Sequence, residues 1–310
     1  MDTILNNFLK LSITDFTGEL AALSVAGLWA VTSIVYGRIG QRIPPLELNL
    51  IKGTIAIALL VFTIFLQNDF LTSIPATTLY PLLLSGVVGI GLGDTAFFTT
   101  LNCLGARRAL LMETLAPPIT AILALIFLQE KLSLAAMCGI LLTILGVAWV
   151  VTERVPDSCD RPIDLKRGIS FGILAAMASA SGAVLSRGVL ATTNISPLWA
   201  ALLRLCGCVL ILLPWAWLRQ KQSYFQFKTL RSKKIIGAIF FAAFAGTYLG
   251  IWLQQIALKF TAAGIALTLT NTSPLFVLPI AVCIGERLSI RAILGVVIAL
   301  SGIVLLLLLR

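Results

Sequence analysis

Two carboxylates stand inside long apolar runs of this chain: Asp94 in VGIGLGDTAFF and Glu113 in LMETLAPP. An ionisable group surrounded by lipid-soluble sequence is costly, and it stays there when it has a partner, water or a task. A carboxyl group in such a place can exchange a proton or hold a substrate amine. Its structural alternative is a salt bridge or a helix cap, with Lys52 and Arg204 as the candidate partners. Those two cations sit near the ends of their own apolar runs, where they read either as snorkelling or pairing groups or as contacts for a substrate carboxylate.

The backbone supplies a second kind of chemistry. Pro117 and Pro118 remove the amides that would bond to the carbonyls of Glu113 and Thr114, Pro274 does the same to Thr270, and Pro279 to Leu275. A carbonyl freed in a dry membrane must find a partner, line water or bind solute. The stretch TLTNTSP adds Thr270, Asn271, Thr272 and Ser273 beside one of these breaks. Its hydroxyls either form a second wall of a central site or simply satisfy the broken helix. Aromatic wall candidates are Trp29, Tyr36, Trp199, Tyr248 and Trp252, and Gln254 and Gln255 read as site or cap.

Several chemistries are excluded. Histidine is absent, and the six cysteines form no CxxC pair, so neither a metal site nor a cofactor is expected. VVGIGLGD is glycine-rich, but no strand precedes it and no phosphate-binding lysine follows. Gly89 and Gly93 have the GxxxG spacing of closely packed membrane helices. Without a Walker motif there is no direct drive from ATP, which leaves an ion gradient or substrate exchange.

The elements that must position these residues are membrane spans. The chain has 310 residues, 59% hydrophobic and 12% charged, with a mean hydropathy of +1.01. So little charge cannot cover a soluble surface. Apolar runs of about 20 residues recur, each long enough for a hydrocarbon core of about 30 Å. The fold class is therefore an all-α polytopic membrane protein with ten spans: 18–37, 47–66, 81–103, 106–128, 133–152, 168–188, 197–217, 234–257, 260–284 and 290–309. The net charge of +10 lies in a few connecting loops, where it reads as a topology signal and not as a nucleic-acid surface.

The spans repeat. ARRALLMETLAPPITAILALIFLQEKLS, from Ala106 to Ser133, aligns without a gap onto AAGIALTLTNTSPLFVLPIAVCIGERLS, from Ala262 to Ser289, at an offset of 156 residues. The register continues from Gly139 and Gly146 to Gly295 and Gly302. Pro45 and Lys52 match Pro197 and Arg204 at an offset of 152. Such self-similarity marks an internal duplication. Asp94 falls opposite Gly250 and Glu113 opposite Leu269, so both carboxylates are additions to one half.

Five spans per half is an odd number, so the halves enter the membrane in opposite senses, as two inverted five-helix repeats. The basic residues of the loops flip sides between the halves, as inversion requires. Loops after odd-numbered spans are then expected in the cytoplasm and both termini outside. The organisation expected is an N-terminal interfacial segment over 1–17, a first repeat over 18–152, a linker over 153–167 and a second repeat over 168–310.

The pattern resembles the drug/metabolite transporter superfamily of the EamA type. That family joins two five-helix repeats, each with a mid-helix proline and an apolar run ending in Gly-Glu-basic-Leu-Ser. The second copy here reads IGERLS, and the first reads LQEKLS, with Gln129 in the glycine place. The resemblance implies a secondary carrier of small organic metabolites or amino acids, often an exporter, in a bacterial inner membrane or its equivalent. Expected partners are a small-molecule substrate and the lipid bilayer, with protons as a candidate coupling ion and no nucleic acid. Assembly as a monomer or a homodimer is left open. A gated channel, and an intramembrane enzyme using the two carboxylates, are the alternative classes.

Overall fold

Helices that are apolar on every side cannot sort themselves in water; in lipid they bury small residues against one another and leave large ones outside. The computed structural model follows that rule and describes residues 16–40, 43–69, 73–152, 164–220, 233–283 and 290–308. Helix α1 spans Thr17–Ile39 and α2 Pro45–Gln67, and α3 spans Ala76–Leu104. The fourth crossing is split into α4 (Ala106–Glu113) and α5 (Ala116–Phe127), followed by α6 (Leu134–Val151). The second half repeats the order with α7 (Leu165–Thr192) and α8 (Pro197–Gln220), and with α9 (Lys234–Phe260). Its ninth crossing is split into α10 (Ala263–Thr270) and α11 (Ser273–Cys283), and α12 is Ile290–Leu308. Among the described residues, nine helical stretches are long and apolar enough to cross a membrane, the broken α4–α5 stretch counted as one, and the shorter apolar α10–α11 stretch stands at the tenth place.

The fourth and ninth spans, each read as one crossing with a proline break inside it, are both broken at the same repeat position. Thr114 and Leu115 close short turns onto Leu111 and Met112, and Asn271, Thr272 and Leu275 do likewise onto Leu267, Leu269 and Thr272. The sixth span starts earlier than expected, at Leu165, because Asp164 caps the Arg167 amide. Residues 1–15 of the expected N-terminal segment, the aromatic residues Tyr224, Phe225 and Phe227, linker residues 153–163, and Glu286 to Ser289 lie outside the described residues.

The packing exchanges the two halves. Helix α1 lies on α9 and α7 on α3; α2 lies on α9 where α8 lies on α3; α10 and α11 lie on α1 where α5 lies on α7. Of the remaining large contacts, two join equivalent helices, α2 with α8 and α6 with α12, and one joins the two broken crossings through α5 and α10. The α6–α12 crossing is close because its glycines interlock: a β-carbon at Gly302 would lie 2.8 Å from the Gly139 carbonyl, and one at Gly146 would run into the Ala299 backbone. Alanines fill the interior, including Ala22, Ala26, Ala176, Ala180, Ala200 and Ala263. Phe62, Phe65, Phe127, Leu134, Trp217 and Val297 project outward, where lipid is the solvent.

The repeated LQEKLS motif has a local explanation. Gln129 takes a positive φ of 54°, the conformation that favours glycine at this place. Ser133 then caps α6 by accepting the Ala136 amide at 3.0 Å. Glu130 reaches across: its Oε1 accepts from Arg187 Nε at 2.6 Å, and its Oε2 accepts the Ala263 amide at 3.0 Å. Arg187 also donates to the carbonyls of Leu258 and Lys259 at 2.8 Å each. One end of the bundle is stapled across both halves.

Candidate functional site

Helices α3 and α9 cross the centre of the bundle, and each contains a stretch of π-helix, Gly86–Leu92 and Ala243–Leu249. The widened turn is visible in the backbone: the Gly93 amide reaches the carbonyl of Val88, and the Gly250 amide that of Ala245. Such turns leave carbonyls in need of donors, and they recur at functional sites. Here the donors come from other helices. Asn49 Nδ2 donates to the Ile90 carbonyl at 2.9 Å, and Trp29 Nε1 donates to the Gly246 carbonyl at 2.9 Å. Ile90 and Gly246 are repeat equivalents, met by different side chains on different helices.

A cavity of about 270 Å³ opens against these turns. Among the described residues, two basic and two acidic side chains line it: Lys52, Arg204, Asp94 and Glu113. Asp94 stands directly after the first π turn, and its carboxylate pairs with the Lys52 ammonium. Of the two candidate partners, Lys52 is the cation that lies beside Asp94. Lys52 is also held over the rings of Phe98, at 4.9 Å, and Tyr36, at 5.7 Å. Its side chain is 6% exposed and that of Asp94 is 35% exposed, so the carboxylate is the half of the pair that faces the cavity. Tyr36 and Thr247 share a hydrogen bond of 3.1 Å behind it.

The equivalent half-site in the second repeat is built differently. Gly250 replaces Asp94, and Gln254 replaces Phe98. A side chain at Gly250 would have to displace the Trp29 indole, because a β-carbon there would lie 2.6 Å from Trp29 Nε1. Arg204, the counterpart of Lys52, is 3% exposed and donates from Nη1 to Gln254 Oε1 at 3.3 Å. It makes no ion pair among the described residues, and its Nε has no acceptor. Glu113, at the end of α4, faces the same cavity with no hydrogen bond or ion pair among the described residues.

The other residues read from the sequence divide into two groups. Trp29, Tyr36, Gln254, Thr270, Asn271 and Pro274 line the cavity. The Thr270 hydroxyl, however, is used within its own turn, on the Leu267 carbonyl at 3.0 Å, and Thr272 does the same on Leu269 at 2.6 Å. These hydroxyls satisfy the broken helix. Pro117 and Pro118 open α5 and stand behind the cavity, not on it. Tyr248 and Trp252 also stand off the cavity: Tyr248 shares a 2.8 Å hydrogen bond with Thr63 and packs on Phe244 and Trp252. Trp199 donates to the Asp69 carbonyl at 2.8 Å, and Gln255 takes the Ser186 hydroxyl, so both are structural. Phe97, Ser179, Gly246, Thr247 and Ile251 line the cavity without having been singled out.

The described residues contain no cluster of His, Cys, Asp or Glu that could hold a metal ion. The arrangement gathers charged and hydrogen-bonding side chains around one cavity at mid-bundle.

Comparison with known proteins agrees with this fold. A solved crystal structure superposes with a TM-score of 0.74 over 93% of this chain and 95% of its own, at 15% identity, which speaks for the fold alone. The Bacillus subtilis (strain 168) protein named Uncharacterized transporter YvbV is 29% identical over 138 residues, 44% of this chain and 45% of its own length. The match thus spans about half the length of that relative. The sequence profile of the EamA-like transporter family matches twice, over residues 16–152 and 166–308. With both five-helix units matched, this multi-pass membrane protein belongs to the EamA-like transporter family.

Proposed function

We propose that the chain is a secondary transporter that moves small organic metabolites, amino acids among the candidates, by alternating access around the central cavity. The observation that carries this reading is the position of Lys52, Asp94, Glu113 and Arg204 on one cavity between two exchanged repeats. Four ionisable groups at that depth are costly, and in membrane proteins such groups mark solute and ion pathways. The inverted repeats supply the motion, since one half can rock on the other about a fixed mid-membrane site.

Roles follow from the contacts. Asp94 and Lys52 form a neutral pair that gives the cavity a polar wall without net charge. Glu113 is the group for proton coupling or for a substrate amine, because among the described residues nothing else claims its carboxyl. Drive comes from a proton gradient or from exchange, and export is the direction implied by the family.

The test is counterflow in proteoliposomes loaded with candidate metabolites, selected by thermal stabilisation of the purified protein. Saturable uptake that accelerates with internal solute is expected, with Glu113→Gln reducing it at least tenfold. Flux that rises linearly without saturation, or counterflow absent for every stabilising solute, would replace this reading with that of a channel.

A further inference from the structure

The duplicated cations of the cavity are not equivalent, and their difference points to the solute. Lys52 is neutralised by Asp94 and enclosed by two aromatic rings. Arg204 occupies the same repeat position, but the place of Asp94 is taken by Gly250, and Trp29 fills the space a side chain there would need. The protein thus holds a guanidinium, 3% exposed, on the cavity wall with one amide oxygen as its only acceptor among the described residues. A buried cation left without a counter-charge costs several kcal/mol, far more than a single neutral hydrogen bond returns.

The group is also positioned rather than loose. The Arg204 backbone lies against Gly86 so closely that no β-carbon fits there, and a β-carbon at Gly89 would come within 3.1 Å of Arg204 Nη2. The first π turn and its glycines therefore fix where the guanidinium points. Gln254 Oε1 takes one N–H, and the Gln254 amide nitrogen has no partner among the described residues, which leaves a second donor beside the guanidinium.

Resting on the reading of this cavity as the solute site, we propose that Arg204 selects the solute by taking its carboxylate, with the Gln254 amide as the second donor. A guanidinium offers parallel N–H groups that match a carboxylate edge. Charge favours a carboxylate over a phosphate: the described lining holds two cations and two carboxyl groups, and one of the cations is already paired. When Glu113 carries the proton proposed for it, one negative charge completes the balance at Arg204 and two exceed it. Lys52, with the same lineage and depth, takes no part in anion binding while Asp94 holds it.

The experiment compares thermal unfolding of the purified full chain in butyrate, butyramide, inorganic phosphate and chloride, at equal ionic strength and pH. Butyrate at about ten times its Kd is expected to raise the Tm by about 3 °C over chloride, and butyramide to leave it unchanged. Arg204→Gln loses the shift. Arg204→Lys, which keeps the charge and supplies a folded variant should the glutamine one not fold, keeps no more than half of it. An equal shift with butyramide, an equal or larger one with phosphate, no shift in the wild type, or an undiminished shift in the Arg204 variants would each overturn the assignment. Counterflow on the same preparation separates the two readings. A chain that binds butyrate through Arg204 but moves no solute defeats the transporter and keeps the carboxylate site; one that moves solute with no butyrate response does the reverse.

Discussion

Removing Asp94 should harm the protein more than removing Lys52, although they are partners in one ion pair. The asymmetry comes from burial. Lys52 is 6% exposed, so Asp94→Asn strands an ammonium where water does not reach. Breaking a buried pair by deleting one partner costs about 3–5 kcal/mol. The rings of Phe98 and Tyr36 remain beneath the ammonium and offset about 1 kcal/mol of that. The net loss is about 3 kcal/mol, a fall in Tm of about 6–12 °C for a chain of this size. Lys52→Met leaves a carboxylate that is 35% exposed and still hydrated from the cavity, so its cost is about 1 kcal/mol. The double variant has no stranded charge, and its loss should fall below that of Asp94→Asn alone. A double-mutant cycle by thermal unfolding in detergent, at fixed pH and salt, reads this directly. Coupling of about 2 kcal/mol is expected. Equal costs for the single variants, a larger cost for Lys52→Met, or additivity within about 0.5 kcal/mol would refute the reasoning.

Other perturbations have equally definite outcomes. Glu113→Gln should leave the Tm within about 2 °C of the wild type while lowering counterflow, because among the described residues the carboxyl holds nothing in place. Gly250→Ala should dislodge the Trp29 indole from the Gly246 carbonyl, cost about 1–3 kcal/mol and change Trp fluorescence, since the added carbon meets Nε1 at 2.6 Å. Glu130→Gln should cost about 2–4 kcal/mol and expose the turn before Ala263 to proteolysis, because the amide keeps one acceptor oxygen for the two donors, Arg187 Nε and the Ala263 amide, and loses the charge that pairs with Arg187. Gly146→Val should separate α6 from α12 and lower the Tm by more than 5 °C, as no side chain fits against Ala299.

The duplicated frame was readable from letters alone because packing leaves a linear trace. Gly139, Gly146, Gly295 and Gly302 recur at one offset because each lies in the same two-helix crossing. Pro117 and Pro274 marked the broken spans because a missing amide acts locally. Other features depend on distant partners and leave no such trace. Nothing in GVVGIGL or AFAGTYL announces a π turn; the choice rests on Asn49 and Trp29 arriving from other helices with donors. That turn also explains why Thr247 and Ile251 face the cavity while Tyr248 and Trp252 face α2 and α8. Lys52 and Arg204 look alike in sequence because recurrence suggests a shared scaffold task. Only the helix rotations show that one is paired and the other is not.

The wide turns of α3 and α9 each fit an extra residue without lengthening the rod, and so they act as a store of rotational phase. Everything beyond such a turn is set back by about 100° relative to a plain α-helix of the full sequence, and keeps the phase of one that is a residue shorter. Tightening Gly86–Leu92 into plain α-helix without losing a residue would therefore swing the Asp94 carboxylate away from its ammonium. A change of winding that hydropathy does not register is thus sufficient to take apart the polar centre of this membrane protein.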